Sequence, residues 1–403
     1  MLKKYINNNR MWKKFLQYKL DNKFTSNKEK EFLKNYIKKK KYKQITKKIK
    51  KNTYIFSFPQ KKCINKGTTN KKRTIYTYNN DEMIILKYIS FLLYKYDKLF
   101  DNNIYSFRKN TGVKKAINNI KNIKNLNNMY GYKIDIENYF NSINTKILFK
   151  NLEKDINDKE LLNLFKQLLL NEKVIYNNKI IIEKEKGIMA GTPIATFLAN
   201  YYIKEIDKYF KNQKVVYLRY SDDIIIFCNT KEDLKKYQKK LHQFLNSYKL
   251  NINKKKEKHF DPKEKWEYLG FSFENKKIDL SDNTIKKIKR KIKRSAKSIR
   301  KWMLNNNIES DKAMKIMIKK YNKKFFNLNN TELSWKYWFF PFINTSKSLQ
   351  IIDKYLQENI RYIVTGKHNK KNYKIVPYKK LKDLGYKSLV HEYYLFINME
   401  SDM

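Results

Sequence analysis

The stretch from Val215 to Cys228, V-V-Y-L-R-Y-S-D-D-I-I-I-F-C, places two adjacent carboxylates between two apolar runs. Runs rich in β-branched and aromatic residues predict two short buried strands, joined here by a hairpin. Asp222 and Asp223 repel each other, and an ionised carboxylate beside an apolar core is unfavourable unless a partner neutralises it. Aspartate is also common in ordinary turns, so the pair by itself leaves a structural role open. A bound divalent cation would resolve the conflict.

The composition points to a nucleic acid as the partner. The 403 residues include 91 Lys and Arg against 38 Asp and Glu, a formal net charge of +53. This excess favours a polyanion, either a nucleic acid or an anionic membrane surface. No apolar run approaches the length of a transmembrane helix, and the first ten residues lack a signal-peptide core, so a membrane is not expected. An A/T-rich genome would also enrich lysine, so the sign of the charge is more informative than its size.

Cysteine and histidine do not indicate a structural framework or a zinc site. The two cysteines, Cys63 and Cys228, form no disulfide pattern and fit a reducing cytoplasm. The four histidines are scattered without metal-ligand spacing. The eight arginines are scarce beside the lysines, so their planar fork geometry is expected to matter where they occur near a site. Three of the arginines, Arg73, Arg108 and Arg219, lie near the segments that carry the candidate site residues.

Patterns of periodicity predict helical and hairpin segments along the chain. Residues 1–60 are basic with helical periodicity, which fits a solvated helical extension or an RNA-binding arm. Residues 61–80 and 171–186 read as hairpins, the first with Gly67 at its turn and the second around Asn177 and Asn178.

Beyond Leu280 the pattern is helical. The segment from Asn283 to Leu304 predicts an amphipathic helix with an apolar stripe that ends at Trp302. Its long cationic face would follow a phosphate backbone, or simply be solvated.

A second acidic segment is Y-G-Y-K-I-D-I-E-N-Y-F-N-S-I, from Tyr130 to Ile143. Its apolar and polar residues alternate, which predicts a strand with Asp135 on one face. A lone aspartate in a strand is commonly an edge or paired residue. Asp135 becomes a candidate ligand only if its face meets Asp222 and Asp223.

A glycine-led segment, G-I-M-A-G-T-P-I-A-T-F-L-A-N, begins at Gly187. The chain has only eight glycines, and Gly187 and Gly191 precede Thr192 and Pro193, which predict a helix N-cap and first helical residue. The helix would then carry an apolar stripe as far as Ile206. A glycine-rich approach allows the backbone to lie close to a phosphate or a base pair, although glycines also serve ordinary turns.

Taken together, these segments resemble the reverse transcriptase family across roughly residues 60–280. The resemblance implies an α+β right-hand polymerase with an antiparallel-sheet palm, fingers, and a basic α-helical thumb and C-terminal region. The domains expected on this basis are a basic helical N-terminal extension over 1–60, fingers and palm over 61–280, and the thumb and C-terminal extension over 281–403.

The resemblance is carried by short motifs in the family's order. K-R-T-I at Lys72 and S-F-R at Ser106 look like fingers motifs, and I-D-I-E-N-Y-F resembles the first palm motif. Y-S-D-D at Tyr220 is similar to the Y-x-D-D signature, and Y-L-G-F at Tyr268 looks like the primer-grip hairpin. L-N-I-N-K-K-K, from Leu250, resembles the motif between them, whose lysine falls best on Lys256.

The resemblance implies a role for each matching residue. Catalytic metal ligands would be Asp135, Asp222 and Asp223 with the Ile136 backbone, holding two Mg²⁺ ions, with Mn²⁺ as an alternative. Contacts to the incoming nucleotide would come from Arg73, Phe140, Ala190 and Lys256. Contacts to the template or primer would come from Arg108, Gly187, Gly191, Tyr220, Ser221, Leu269 and Gly270.

The implied chemistry is phosphoryl transfer to a primer. Two metal ions about 3.5–4 Å apart neutralise charge on the attacking and leaving oxygens, and Mg²⁺ suits carboxylate ligands. Arg73 would contact the triphosphate, and Lys256 would lie near the leaving pyrophosphate as a proton donor. Phe140 would be the steric gate that excludes a ribose 2′-hydroxyl, which implies a preference for dNTPs over rNTPs.

One motif departs from the family's usual form. The second palm motif has Met189, Ala190 and Gly191 where retroviral, retron and group II intron enzymes usually show P-Q-G. The missing glutamine puts conventional fidelity and processivity in doubt but removes no metal ligand. This form and the C-terminal segments look most like the prokaryotic defence-associated, or unknown-group, reverse transcriptases. The resemblance then implies a cytoplasmic enzyme that copies a companion structured non-coding RNA in antiphage defence.

Other functions remain open from the sequence. The chain could be a retron-like or group II intron-derived reverse transcriptase, an RNA-dependent RNA polymerase, or a catalytically idle RNA-binding protein. An aromatic gate argues against RNA synthesis, and the presence of all three carboxylates argues against an idle protein. The sequence does not identify the template, the primer or an oligomeric state.

Overall fold

The computed structural model divides the chain into two compact units, Met1–Pro262 and Lys263–Met403. The boundary expected from the sequence at residue 281 stays a prediction. None of the helices in the described ranges is long and apolar enough to span a membrane. The structure describes residues 1–22, 25–65, 72–213, 215–327 and 334–401.

The first unit combines two sheets with helices. Its strands are β1 (Gln60–Asn65), β2 (Lys72–Thr77), β3 (Tyr130–Asp135), β4 (Lys173–Tyr176), β5 (Lys179–Ile182), β6 (Val216–Tyr220), β7 (Asp223–Cys228) and β8 (Lys258–Phe260). Its helices are α1 (Leu2–Tyr5), α2 (Asn9–Asp21), α3 (Asn27–Lys38), α4 (Tyr42–Lys50), α5 (Asn80–Leu93), α6 (Val113–Asn122), α7 (Tyr139–Ser142), α8 (Thr145–Asp155), α9 (Lys159–Leu170), α10 (Ala195–Tyr202), α11 (Lys204–Lys211) and α12 (Lys231–Ser247).

The central sheet has the strand order β6-β7-β3-β8, with every neighbouring pair antiparallel. β7 is almost wholly buried because Ile224 to Cys228 are apolar on both faces of the strand. β6 and β7 pair directly across a two-residue turn at Ser221 and Asp222. The hairpin predicted from the sequence is therefore confirmed, and β3 pairs with β7 along its whole length.

The second sheet of this unit has the order β2-β1-β4-β5. β1 and β2 are antiparallel, and β4 and β5 form the predicted basic hairpin. Asn177 and Asn178 both have positive φ, as a tight two-residue hairpin turn requires. The proposed turn at Gly67 lies outside the described residues.

The glycine-led segment differs from the sequence prediction. Thr192 and Pro193 do not begin the helix, because α10 starts at Ala195 and the Thr192 hydroxyl donates to the Met189 carbonyl. The predicted single stripe to Ile206 is also divided, since α10 ends at Tyr202 and α11 begins at Lys204. The Thr192 bond closes a local turn, which competes with the helix for that hydroxyl.

The N-terminal helices pack into the core of the first unit. Trp12 of α2 is fully buried, with Tyr42 and Tyr88 stacked on its two sides at centroid distances of 4.2 and 3.9 Å. Its indole nitrogen donates to the Ile6 carbonyl at 2.9 Å. Residues 1–60 are thus an integral part of this core and not only a solvated extension.

The second unit consists of a small antiparallel sheet and helices. Its α13 covers the segment predicted to be a basic amphipathic helix. The apolar stripe is buried at Ile288, Ile292 and Ala296, but Trp302 is exposed and Met303 is buried in its place. The elements are β9 (Trp266–Tyr268), β10 (Phe271–Glu274), β11 (Lys277–Leu280), α13 (Asp282–Asn305), α14 (Ser310–Phe326), α15 (Trp335–Trp338), α16 (Lys347–Thr365), α17 (Asn372–Ile375), α18 (Tyr378–Asp383) and α19 (Leu389–Ser401).

Candidate active site

Three aspartates gather at one end of the central sheet. Asp135 is the last residue of β3 and stands directly opposite Asp223, the first residue of β7. Asp222 lies in the β6–β7 turn, and its carbonyl accepts a hydrogen bond from the Ile136 amide at 3.0 Å. Directly opposed residues of antiparallel strands have Cα atoms about 4.5–5.5 Å apart. The strand register thus brings together the carboxylates that the sequence separates by nearly ninety positions.

Two lysines partly neutralise this cluster. The Lys256 ammonium lies 2.6 Å from Asp135 Oδ2, and the Lys133 ammonium lies 3.4 Å from Asp223 Oδ1. Burial raises the pKa of Asp223 to about 6; Lys133 opposes this shift, and the Asp222 and Asp135 carboxylates add to it. Like charges held together in a desolvated place disfavour ionisation in this way. The cluster therefore favours an additional cation.

The donor set fits a divalent cation of the magnesium type. Asp135, Asp222 and Asp223 supply carboxylate oxygens only, which are the ligands that Mg²⁺ prefers. Within the ranges that the structure describes, no three acidic, histidine or cysteine side chains are already arranged around a single metal position. Lys256 instead forms an ion pair with Asp135, and the Lys256 side chain is half exposed. Metal binding would require that ammonium to withdraw from Asp135.

Phe140 is on the short helix α7, which follows β3 and Asp135 in the chain, and Gly187 fixes its backbone. The Ile188 amide donates to the Phe140 carbonyl at 2.9 Å. Gly187 has a φ of +56°, and a Cβ there would lie 2.1 Å from the Phe140 carbonyl oxygen. Only glycine permits this approach. Gly187 was predicted to contact template or primer; in the structure its neighbour is the backbone of Phe140.

Ala190 and Gly191 lie against β2. The Ala190 carbonyl accepts a hydrogen bond from the Tyr76 amide at 2.8 Å, and a Cβ on Gly191 would lie 3.0 Å from the Tyr76 carbonyl oxygen. Arg73 is on the same strand with an exposed side chain. The glycine-led segment and β2 are thus joined by backbone contacts.

A buried ion pair supports the β6–β7 turn, and the sequence did not assign it a role. The Arg219 guanidinium makes two bonds to the Asp207 carboxylate, at 2.7 and 2.6 Å, and both side chains are fully buried. Burial disfavours the guanidinium charge, but Asp207 outweighs burial and raises the pKa of Arg219 above its ordinary value. Arg219 also donates to the Ser221 carbonyl at 3.2 Å. The scarcity of arginine was the signal that pointed to this position.

A hydroxyl and an amide complete the support of the turn. The Ser221 amide donates to Ser106 Oγ at 2.8 Å. Ser106 Oγ donates to Asn200 Oδ1 at 3.2 Å, and the Asn200 amide nitrogen donates to the Ser106 carbonyl at 2.7 Å. Ser221 itself has a φ of +60°. The left-handed turn residue is thus held by a fingers residue and by helix α10, and Tyr220 precedes it at the end of β6.

Three other predicted contact residues have local partners of their own. The Arg108 guanidinium is buried in an ion pair with Asp97 at 3.0 Å, so its fork binds within the protein. Leu269 and Gly270 form the two-residue turn between β9 and β10, both with positive φ. They belong to the second unit, where the Gly270 carbonyl accepts a hydrogen bond from the Ser281 amide.

The chain is similar to known proteins over this part of its length. A family model described as reverse transcriptase (RNA-dependent DNA polymerase) matches residues 60–273. The retron Ec83 reverse transcriptase of Escherichia coli is 30% identical over a region covering 26% of this chain and 34% of that protein. A COX1/OXI3 intron 1 protein of Saccharomyces cerevisiae is 22% identical, covering 40% of this chain and 26% of that protein. The chain thus spans about a quarter to a third of the length of these relatives.

Solved structures also match at low identity. The apo telomerase of Candida tropicalis superposes with a TM-score of 0.48 and 14% identity, covering 85% of this chain and 68% of that chain. The matched family region contains both strands of the aspartate hairpin, β3 and the glycine-led segment. Because that region is more than half of the 403 residues, the chain belongs to the reverse transcriptase family.

Proposed function

We propose that this protein is an RNA-directed DNA polymerase that extends a primer 3′-hydroxyl with dNTPs. The observation that carries the proposal is the meeting of Asp135, Asp222 and Asp223 at one end of the central sheet, beside Lys256. Clustered carboxylates with one lysine suit phosphoryl transfer, where negative charge must be neutralised on both reacting oxygens. The family description and the retron relative support the same activity.

The carboxylates would hold the metal ions. Asp135 and Asp222 are the proposed principal ligands, with Asp223 in support and the Ile136 carbonyl as a further oxygen donor. Two Mg²⁺ ions, or Mn²⁺ in their place, would neutralise charge on the attacking and leaving oxygens when bound. The raised pKa of Asp223, due first to its burial, indicates that a neighbouring cation would stabilise the ionised form of this carboxylate.

Two basic residues would bind the nucleotide phosphates. Arg73 projects from β2 with an exposed side chain, and its guanidinium suits bidentate contact with a triphosphate. Lys256 would leave Asp135 and pair with the leaving pyrophosphate. It would then donate a proton to the pyrophosphate. The half-exposed side chain of Lys256 gives its ammonium the freedom for that exchange.

The remaining predicted contacts would orient the nucleotide and the primer–template. Phe140 would exclude a 2′-hydroxyl, and Ala190 would lie near the incoming nucleotide. Tyr220 and Ser221 would lie against the primer end. The other proposed template and primer contacts are Gly187, Gly191, Arg108, Leu269 and Gly270.

We further propose that the template is a structured non-coding RNA and that synthesis serves antiphage defence in a prokaryotic cytoplasm. The net charge of +53 supports a polyanionic partner held over many phosphates. The similarity to a retron reverse transcriptase of a bacterium is compatible with this role. Sequencing the nucleic acid that co-purifies with the full chain tests the template. Random cellular RNA in place of one enriched species would contradict the proposal.

Single-nucleotide extension of a primer on an RNA template tests the polymerase itself. With Mg²⁺ present, wild-type protein is expected to add dNTPs and to discriminate against rNTPs. Phe140→Ala is expected to reduce that discrimination about tenfold or more, because the pocket no longer excludes the 2′-hydroxyl. Equal use of rNTPs by wild-type protein would favour an RNA polymerase, and no incorporation of either would favour an idle RNA-binding protein.

A further inference from the structure

Phe107 is an exposed aromatic residue held in a strained backbone conformation at the edge of the candidate active site. Its φ is +58°, and 41% of its side chain is exposed. A bulky residue in the left-handed region is unfavourable and persists only where the surrounding structure enforces it. Such outliers occur preferentially at functional sites, so the contacts of Phe107 bear on its role.

The residues on both sides of Phe107 enforce the conformation. Ser106 is fully buried and bonds both Asn200 and the Ser221 amide of the β6–β7 turn. Arg108 is held by the Asp97 carboxylate through two nitrogen atoms, each at 3.0 Å. The backbone between two such anchors has little freedom. Phe107 is therefore directed away from the core in a fixed orientation.

The Phe107 ring contacts both the proposed sugar gate and the proposed primer contact. The Phe107 and Phe140 rings meet edge to face, with a centroid distance of 6.1 Å and an interplanar angle of 89°. The Tyr220 ring lies 6.4 Å from Phe107 at 48°. Edge-to-face contact is a favoured arrangement of aromatic pairs. Phe140 is only partly buried, so the packing of the core does not enclose its ring completely. The contact with Phe107 therefore limits how far the Phe140 ring can rotate.

We propose that Phe107 is a positioning residue that holds the Phe140 ring against the sugar of the incoming nucleotide. The inference rests on the proposed function and adds a second determinant of sugar selection to it. A strained, externally anchored ring is suited to this task because it cannot follow Phe140 when a ribose 2′-hydroxyl pushes against the gate. Loss of the Phe107 ring leaves the gate present but free to move.

The test compares kcat/KM for a dNTP and its matching rNTP in single-nucleotide primer extension. Phe107→Ala is expected to lower the dNTP/rNTP ratio about three- to tenfold, the scale of one edge-to-face aromatic pair. The change is expected mainly as a rise in kcat/KM for the rNTP. Phe107→Tyr keeps the ring and is expected to retain the wild-type ratio.

A double variant shows whether Phe107 acts through Phe140. If it does, Phe107→Ala has no further effect on the ratio when Phe140 is already alanine, because coupled residues are not additive. Phe32→Ala is the matched control, since Phe32 is an aromatic residue of similar exposure, 47%, on α3. Its removal is expected to leave the ratio unchanged.

The outcomes separate this inference from the proposed function. An unchanged ratio in Phe107→Ala, with wild-type protein active, overturns the role of Phe107 and leaves the polymerase assignment intact. Full additivity with Phe140→Ala overturns it as well. Absence of any incorporation by wild-type protein overturns both. If Phe107→Ala does not fold, Phe107→Gly replaces it, because glycine accepts the positive φ and also lacks the ring.

Discussion

At the scale of single residues, two lysines pair with the aspartate cluster, and the proposed reaction must displace one of them, Lys256. Lys256 lies 2.6 Å from Asp135, and its partly exposed side chain can leave that carboxylate at modest cost. Lys133 is more buried, on the interior of β3, and stays beside Asp223. Of the two, Lys256 is therefore the residue with the freedom to reach a leaving group.

Replacing Lys256 by methionine tests that role. We expect the rate of nucleotide addition to fall about 10²- to 10⁴-fold, the usual scale of general acid catalysis. Lys255→Met, which removes a neighbouring exposed lysine, is the control and is expected to change the rate little. Pre-steady-state kinetics across pH measures both. A Lys256→Met enzyme with the wild-type rate and pH profile would exclude a proton-donating role.

Sequence reasoning identified the acidic residues of the site but not their surroundings. Asp222 and Asp223 could be recognised because they interrupt an apolar pattern, and Asp135 because its strand matches the first palm motif of the family that the chain resembles. The strain at Phe107 could not, because no local pattern marks a phenylalanine that tertiary contacts force to positive φ. One of its anchors, Ser106, bonds to a position 115 residues away, and such a pairing leaves no local trace in one sequence.

At the scale of elements, the β6–β7 turn depends on the buried pair between Arg219 and Asp207. Asp207 lies on α11 and also accepts a hydrogen bond from the Tyr217 hydroxyl at 2.9 Å. Arg219 joins this helix to the Ser221 carbonyl at the turn. The turn that carries Asp222 is therefore held in place by helix α11.

Removing one partner of this pair is expected to destabilise the protein strongly. Arg219→Met leaves the Asp207 carboxylate buried without its guanidinium, which costs about 3–5 kcal/mol in the free energy of unfolding. The double variant Arg219→Met/Asp207→Leu is expected to recover most of that loss. Arg290→Met, at an exposed position of α13, is the control and stays within about 0.5 kcal/mol. Chemical denaturation measures all three. A loss below 1 kcal/mol in Arg219→Met would contradict the account.

The elements themselves were predictable where periodicity was unbroken. The strands around the aspartates, both hairpins and α13 follow the apolar, alternating or helical patterns of their segments. The helix expected from Thr192 to Ile206 was wrong in its start and its continuity. Apolar residues continue through Ile203, so the hydrophobic stripe gives no sign of the break there.

At the scale of the whole molecule, Lys186 is buried, whereas most of the other lysines in the described part of the chain are exposed. Lys186 is 2% exposed and donates to the Leu168 carbonyl at 3.1 Å. Burial lowers the pKa of Lys186 to about 8, although Glu183 and Glu172 oppose the shift. The folded protein thus loses this proton near pH 8, while the unfolded chain keeps it to about pH 10.4.

The stability of the fold should therefore depend on pH through Lys186. Between pH 8 and about 10.4 the unfolded state binds more protons, so this lysine's contribution to the unfolding free energy rises by about 3 kcal/mol. Below pH 8 the cost of burying the ammonium is fully present. Lys186→Met removes that dependence. We expect Lys186→Met to be more stable than wild type, with the largest difference in unfolding free energy below pH 8. That difference is expected to become smaller toward pH 10.

Chemical denaturation at several pH values measures this difference. Lys184→Met, which replaces an exposed lysine two positions earlier, is the control, because its ammonium stays in water in both states. A difference for Lys186→Met that stays constant from pH 7 to 10 would show that Lys186 carries no buried charge.

The measurement that tests the central claim most directly is single-nucleotide addition by Asp222→Asn. The substitution keeps the size of the side chain and removes one of the carboxylate charges proposed to hold the metal ions. With Mg²⁺ and a dNTP, we expect addition to fall at least about 10³-fold while the protein remains folded. Asp21→Asn, at an exposed position at the end of α2, is expected to keep the wild-type rate. An Asp222→Asn enzyme within about tenfold of wild type would contradict the proposed metal site.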